Sequence, residues 1–350
     1  MAMTRIAVIG AGGIGLLHVR ILGTLPDARV TWVADRDGAR AAEIAALVGA
    51  RATTDNTVAI AADDVDAVVV ATPTPFHRPV VELAAAHGKH VFCEKPIART
   101  LADAEAMITA CHRGGVGLMV GHVVRFFPEY ARAHQVLTEG TLGKIGVVRT
   151  SRVGASPQGA RAWFNDLAQS GGMVVDLMIH ELDTLRWWFG DVDRIFAKGL
   201  SYTEHQPARD YALATLRFTN GIIAHVETSW AHAAFRTRFE ISGEHGMLRH
   251  DSETAATLRH ERSTWADDFM ATAPQPPISL VGSSGDRPYQ AELRHFIDRL
   301  ADGQPFLTDG IEGLRALELA LATLASIRTG RPVSFNDGQA PRDALMENAG

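Results

Sequence analysis

Over its first 122 residues the chain alternates short, β-rich apolar runs with helix-patterned stretches, and few folds satisfy that alternation. "RIAVIG" is followed by the helical "GLLHVRILGTL", then by "ARVTWVAD" and an alanine-rich helix over 38–48. "DAVVVATP" leads into a helical pattern over 76–86, "KHVFCEKP" into one over 101–113, and "VGLMVGH" closes the series. Continuous apolar runs of this kind read as strands buried on both faces, which a parallel sheet requires. Right-handed crossovers then leave a doubly wound α/β sheet with helices on both sides.

Where the first strand meets the first helix, "GAGGIG" supplies Gly10-x-Gly12-x-x-Gly15. Gly10 permits the tight turn, Gly12 lets backbone approach a pyrophosphate, and Gly15 lets helix and strand pack closely, as in the Rossmann dinucleotide fold. The loop from Gly10 through Ala11, Gly12, Gly13 and Ile14 to Gly15 opens a helix whose free N–H groups and dipole suit phosphates. Strand two ends at Asp35, 20 residues after Gly15, where a carboxylate can accept from a ribose diol. Asp35 favours NAD by repelling a 2′-phosphate, while Arg36 beside it keeps NADP open. Thr72, Pro73 and His77 after strand four, Glu94 and Lys95 after strand five, and His122 after strand six lie at strand carboxyl ends, where such sheets bind ligands.

With 350 residues the chain has room for two domains, expected at 1–122 and 123–350. A net charge of −6 without a long basic run argues against nucleic acid or an anionic membrane surface as partner. The N-terminus reads as a first strand rather than a secretory signal, and no stretch of about 18 uncharged apolar residues suggests a membrane span. The two cysteines, Cys93 and Cys111, lack metal-ligand spacing, so no metal site is expected and both read as reduced core thiols of a cytoplasmic protein. His87, His90, His245, His250 and His260 stand near turn signals and read as surface residues.

In the second half, "GGMVVDLMIHELDTLRWWFG" places Asp176, His180, Glu181 and Asp183 in a largely apolar helical run. Asp176 and His180, at i and i+4, share one face of a helix. An aspartate there can fix a histidine's tautomer for proton transfer, or the two can be a satisfied structural pair. Gly171 and Gly172 just before them permit a close approach to a ligand or another backbone. From about 143 to 260 the runs "GVVRTSRVGAS", "RIFAKGLSY", "DYALATLRFTN", "GIIAHVETSWAH" and "RTRFEISG" read as strands, with "TNG" a hairpin signal. Alternation at Arg217/Phe218 and His225/Val226/Glu227 predicts one face on core helices and one toward solvent or a partner chain.

Taken in order, "GAGGIG", "ATPTPFH", "CEKP", "GHVVRFFPEY" and "SGGMVVDLMIHELD", with the late "PYQAELRHFIDRL" and "DGIEGLRALELALATLASIRTGRPV", resemble the glucose–fructose oxidoreductase/inositol dehydrogenase (Gfo/Idh/MocA) family over nearly the whole chain. The look is most like the inositol 2-dehydrogenase branch. The resemblance implies a Rossmann domain and a C-terminal α/β domain with a large, mostly antiparallel open sheet, the helices at about 287–329 packing near the domain junction. It also implies a homodimer or homotetramer built through that sheet. Lys95 is similar to the family's lysine that orients the substrate hydroxyl, His180 to its general acid/base, and Asp176 to the residue that orients both. Arg125 and Trp163 become candidates for contact with a sugar or cyclic polyol, and Tyr289 for a place near the nicotinamide. The implied activity is NAD(P)-dependent oxidation of a secondary hydroxyl. A glycoside hydrolase that retains its NAD, and a non-catalytic regulatory protein, use the same fold.

Overall fold

The computed structural model describes residues 3–201, 210–254, 258–262, 278–281 and 287–335. They form two compact units, Met1–Val123 with Asp286–Leu317, and Val124–Gly285 with Glu318–Gly350.

In the first unit the five apolar runs become β1 (Thr4–Ile9), β2 (Ala28–Ala34), β4 (Ala67–Val70), β5 (His90–Glu94) and β6 (Leu118–Gly121), and a short strand without an apolar signal, β3 (Arg51–Thr53), joins them. The helices between them are α1 (Gly13–Leu22), α2 (Gly38–Ala46), α3 (Asn56–Ile60), α4 (His77–Ala86) and α5 (Leu101–Gly114). The strands are parallel in the order β3-β2-β1-β4-β5-β6. Ile6, Val8, Val68, Val69 and Phe92 are wholly buried, because helices cover both faces. The order reverses between β1 and β4, and the carboxyl ends of those strands flank the crevice where doubly wound sheets take ligands.

Two late helices, α9 (Arg287–Asp302) and α10 (Gly310–Thr329), follow most of the second unit in sequence, yet α9 and the start of α10 join the first unit. Phe296 of α9 packs edge-on to Phe92 at 5.7 Å, and Arg294 reaches Asp27 at 2.6 Å. The Val120 N–H donates to the Thr308 carbonyl at 2.7 Å, and a Cβ at Gly313 would come within 2.7 Å of Val120. Counting 123–350 as one stretch therefore departs from the observed division. An amphipathic pattern announces that a face is buried, but not which distant surface covers it.

The second unit carries a nine-stranded sheet. Its strands are β7 (Ile145–Ala155), β8 (Val192–Leu200), β9 (Tyr211–Phe218), β10 (Ile223–Ser229), β11 (Ala231–Gly243), β12 (Gly246–Asp251), β13 (Leu258–Arg262), β14 (Ile278–Val281) and β15 (Val333–Ser334). The order is β14-β13-β12-β11-β7-β10-β9-β8-β15, antiparallel except for the β7/β10 pair. Thr219, Asn220 and Gly221 turn β9 into β10 as "TNG" predicts, with Gly221 at φ +90°. The expected run to Tyr202 ends at Leu200 in β8, and Tyr202 itself lies outside the described residues. Val148, Leu216, Val226, Phe239, Ile241 and Leu248 line the inner face. The helices of this unit are α6 (Pro128–Thr138), the single turn α7 (Leu167–Ser170) and α8 (Ile179–Phe189).

Two histidines expected at the surface are buried instead. His250 stacks on Phe239 at 5.0 Å and meets Thr237 Oγ1 at 2.9 Å, and His260 is 9% exposed. Both occupy inward positions of alternating strands, and strand parity outweighs the nearby turn residues. Among the described residues no helix is long and apolar enough to cross a membrane, and no group of three or more His, Cys, Asp or Glu is placed to hold a metal ion.

Candidate active site

The glycine loop between β1 and α1 is dictated by space. Gly10 sits at φ +104°, and a Cβ there would come within 2.6 Å of the Ala71 backbone. A Cβ on Gly15 would lie 1.9 Å from the Gly10 carbonyl oxygen, so no side chain fits. At Gly12, the N-cap of α1, nothing lies within 4 Å of such a Cβ and no side chain caps the helix. Open space in front of uncapped N–H groups is what a pyrophosphate needs.

Asp35, at the end of β2, turns back onto this loop. Its Oδ2 accepts the Ala11 N–H at 2.7 Å and its Oδ1 the Asp37 N–H at 2.9 Å. A carboxylate has further lone pairs, so a ribose diol can still donate to it. Arg36 is exposed, whereas Arg40, in the first turn of α2, sends its Nε–H to the Ala11 carbonyl at 3.1 Å. Arg40 went unnoticed in the sequence because nothing in its spacing marks a long side chain that folds back four residues later. The residues present fit a dinucleotide.

At the carboxyl ends of β4 and β5, Thr72 and Pro73 precede a short 3₁₀ turn, Thr74–Phe76, that runs into α4. His77 opens α4 and is buried. Its Nε2 lies 2.9 Å from the Thr72 carbonyl, and its Nδ1 lies 3.1 Å and 3.2 Å from those of Pro96 and Ile97. Burial pushes its pKa below the ordinary range against those bonds. His77 thus ties the β4 loop to the β5 loop. The Lys95–Pro96 peptide is cis. Lys95 is half-buried, and His122 is fully buried just beyond β6.

Glu94 lies under Lys95. Its Oε1 is 2.7 Å from Nε2 of the fully buried His18, and its Oε2 accepts the Lys95 N–H at 3.2 Å. Burial opposes the carboxylate, but the bond to His18 and the charges of His18 and Lys95 outweigh it and hold Glu94 below its usual range. The half-buried Tyr289 ring is 6.5 Å from the His18 ring. His18 itself was missed from sequence. Its only signal is a polar residue on the inward side of an otherwise apolar helix.

In the second unit Gly171 and Gly172 both adopt positive φ, +82° and +70°, and a Cβ on Gly172 would run within 2.4 Å of Leu167. They turn the chain from α7 into a helical segment that is not uniformly α. Val174–Met178 is a π-helix, so Asp176 stands in a widened turn, and α8 with His180 follows directly. The sequence predicts one continuous α-helix there, and an inserted residue leaves no mark in apolar periodicity. Short π segments recur at functional sites.

The other two acids of this run have plain structural partners. Glu181 Oε1 accepts from Arg152 Nε at 2.8 Å, and Asp183 receives both Arg125 Nε at 2.9 Å and Nη2 at 2.6 Å, all buried. Arg152 also donates to the Tyr130 hydroxyl at 3.3 Å. Arg125, a candidate substrate contact by sequence, commits its guanidinium to Asp183 and lies 5.6 Å from the Trp187 ring. Trp163, half-buried in a 3₁₀ segment, stacks on Phe164 at 4.0 Å. Each unit thus carries part of the candidate set: the glycine loop, Asp35, Thr72, Pro73, His77, Glu94, Lys95, His122 and Tyr289 in the first, and Arg125, Trp163, Asp176 and His180 in the second.

Comparison with known proteins adds relatives to this geometry. A model of the oxidoreductase family's NAD-binding Rossmann fold matches residues 4–122, and a model of the GFO/IDH/MocA C-terminal domain matches 130–249. The chain is 31% identical to D-apiose dehydrogenase of Paraburkholderia graminis, over 98% of this chain and 92% of the relative. It is 30% identical to myo-inositol 2-dehydrogenase of Thermotoga maritima, over 95% and 99%. The crystal structure of GenD2 from gentamicin A biosynthesis, in complex with NAD, superposes with a TM-score of 0.83 at 27% identity, over 96% of this chain and 97% of that one. The chain therefore belongs to the GFO/IDH/MocA family and is an oxidoreductase of the kind that acts on CH–OH groups.

Proposed function

We propose that the protein is an NAD-preferring dehydrogenase that oxidises a secondary hydroxyl of a cyclic polyol or sugar, with Lys95, Asp176 and His180 as its catalytic residues. The observation that carries the reading is the Asp35 carboxylate closed onto the Gly10–Gly15 loop, where it would accept from a ribose diol and would repel a 2′-phosphate. The substrate class is supported by the names of the full-length relatives, one acting on D-apiose and one on myo-inositol. In this reading the first unit holds the cofactor and the second supplies the proton acceptor and the sheet through which copies associate.

The glycine loop and Asp35 would hold the dinucleotide, whose nicotinamide would supply the acceptor for the carbinol hydride. The Lys95 ammonium orients the substrate hydroxyl and stabilises the oxygen as its proton leaves. His180 takes that proton, and Asp176 holds the imidazole in the tautomer that can accept it. Alcohol and oxidised cofactor give ketone, reduced cofactor and one proton. The test is a panel of inositols, pentoses and hexoses with NAD and with NADP, followed by reduced-nicotinamide absorbance. Steady reduction with at least one polyol, faster with NAD, is expected. A panel that gives no reduction, while a glycoside is cleaved, would replace this reading with the hydrolase.

A further inference from the structure

Behind Lys95 the first unit buries more acid than it pairs. Glu292 of α9 is wholly buried, and neither of its carboxyl oxygens has a hydrogen-bond partner among the described residues. Its place on the helix fixes where it faces. Tyr289, Glu292 and Phe296 stand at i, i+3 and i+7 and form one stripe. At one end of the stripe the Tyr289 ring lies 6.5 Å from His18, and at the other Phe296 lies 5.7 Å from Phe92. His18 and Phe92 are themselves 5.3 Å apart, edge to face. Glu292 therefore looks onto the His18–Phe92 floor where the Glu94 carboxylate rests against His18.

Two carboxyls in one dry site do not both ionise. Glu94 has the donors, His18 and the Lys95 N–H, and Glu292 has none among the described residues. Burial first, and then the charge of Glu94, push Glu292 well above the ordinary carboxylate range. The titratable groups around the pair are His18 on α1, Cys93, Glu94 and Lys95 at the end of β5, His77 on α4 and Tyr289 on α9. A leucine at position 292 would spare the fold an unsatisfied polar group, so packing alone gives no reason for an acid there.

We propose that Glu292 is a positioning residue for the reaction: carried as the neutral acid, it leaves Glu94 the single negative charge of a His18–Glu94–Glu292 cluster, and through Glu94 it sets the charge and aim of the Lys95 strand end. The kinetic part rests on the reading of Lys95 as catalytic, and the protonation part does not. Between the ordinary glutamate pKa and the raised one, the native protein binds one proton more than the unfolded chain. Stability attributable to Glu292 therefore falls as pH rises through that window.

The test compares full-length wild type with Glu292→Gln, which keeps the shape and removes the titration. Urea unfolding from about pH 5 to pH 9 should show the wild-type unfolding constant rising relative to the variant by roughly tenfold per pH unit inside the window. The infrared difference spectrum, wild type minus variant, should contain the carbonyl band of a protonated carboxylic acid at neutral pH. The alkaline limb of the kcat/KM profile should move in Glu292→Gln. A stability difference that is flat with pH, or a spectrum without that band, overturns the neutral acid. Superimposable kcat/KM profiles in active enzymes overturn the positioning role. If wild type reduces NAD with no polyol, the functional reading fails on its own, and the stability and infrared arms still decide the protonation of Glu292. If the variant does not fold, the same band in wild type, and its loss on raising the pH, decides the same point.

Discussion

Arg125 and Asp183 meet through two hydrogen bonds, 2.9 Å and 2.6 Å long, one to each carboxylate oxygen, with both side chains at most 2% exposed. Two residues along the same helix, Glu181 pairs with Arg152 in equal seclusion. The first turns of α8, just after His180, are thus bolted by buried charge. Such pairs contribute little to net stability, because desolvation offsets most of the attraction. What they forbid is rotation or sliding of α8, since any shift strands a charge in the interior.

Removing one member should therefore hurt far more than removing both. Asp183→Asn leaves the Arg125 charge buried and half-paired, at a cost of about 3–5 kcal/mol. Replacing the pair by Arg125→Met with Asp183→Leu should restore most of that loss. Urea denaturation of the two single variants and the double variant measures the difference. A single variant within about 1 kcal/mol of wild type would mean that α8 does not depend on this pair.

Cofactor choice should turn on Asp35. Wild type is expected to show a higher kcat/KM with NAD than with NADP. Asp35→Ser should narrow or reverse that preference by relieving repulsion of the 2′-phosphate. NAD affinity should fall at the same time, because the bond to the Ala11 N–H shortens its reach or disappears. Wild-type activity confined to NADP would end this assignment.

Much of this was legible from local pattern. Strands β1, β2, β4, β5 and β6 announce themselves as apolar-rich runs, while the short β3 (Arg51–Thr53) carries no such signal, and the glycine loop stands out because steric exclusion at Gly10 and Gly15 leaves one residue type. What escaped is non-local or aperiodic. The partner of Asp183 is 58 residues away, α9 leaves the sheet domain's sequence to join the first unit, and a π turn inserts a residue without disturbing composition. His250 shows a third cause: strand parity placed it inward, although the turn beside it argued for the surface.

The outer face of the second sheet should bind another copy of the chain. Val147, Phe196, Leu213 and Ile223 alternate outward on four neighbouring strands and are 36–43% exposed. They stand as two pairs, Val147 beside Ile223 and Phe196 diagonal to Leu213, among Thr215, Arg217 and His225, and such a mixed apolar and polar face resembles the surfaces that proteins bury against one another. Light scattering at micromolar concentration should report a dimer or tetramer, and Leu213→Lys with Ile223→Lys should shift it toward monomer. A monomeric wild type contradicts this directly.

Both cysteines should resist alkylation in the native protein. Cys93 is fully buried and burial raises its thiol well above the usual range, while Cys111 is pushed up to about 11 by the same cause. The thiolate is the nucleophile, so at about pH 8 the native enzyme should react far more slowly than the urea-unfolded chain, which should take up two equivalents of label. Rapid labelling of either residue in the folded enzyme would show that its burial is not maintained in solution.

The last prediction concerns catalysis by Lys95, Asp176 and His180. If His180 is the proton acceptor, His180→Ala should lower kcat by roughly 10²–10⁴-fold, the usual worth of a positioned acid/base. Dinucleotide affinity should change little, because the glycine loop and Asp35 belong to the other unit. Lys95→Ala should lower kcat comparably and also raise KM, since a cation that orients the hydroxyl also binds it. The double variant should be much less impaired than the product of the two single effects, because residues acting as a unit are non-additive. Oxidation releases one proton, so the equilibrium with wild type should move toward the ketone as pH rises. A purely structural His180 predicts the opposite division: a lower melting temperature with near-normal kcat in the folded fraction. Measuring kcat and Tm on the same preparation separates the two, and a folded His180→Ala enzyme that keeps at least about half the wild-type kcat would remove His180 from the chemistry.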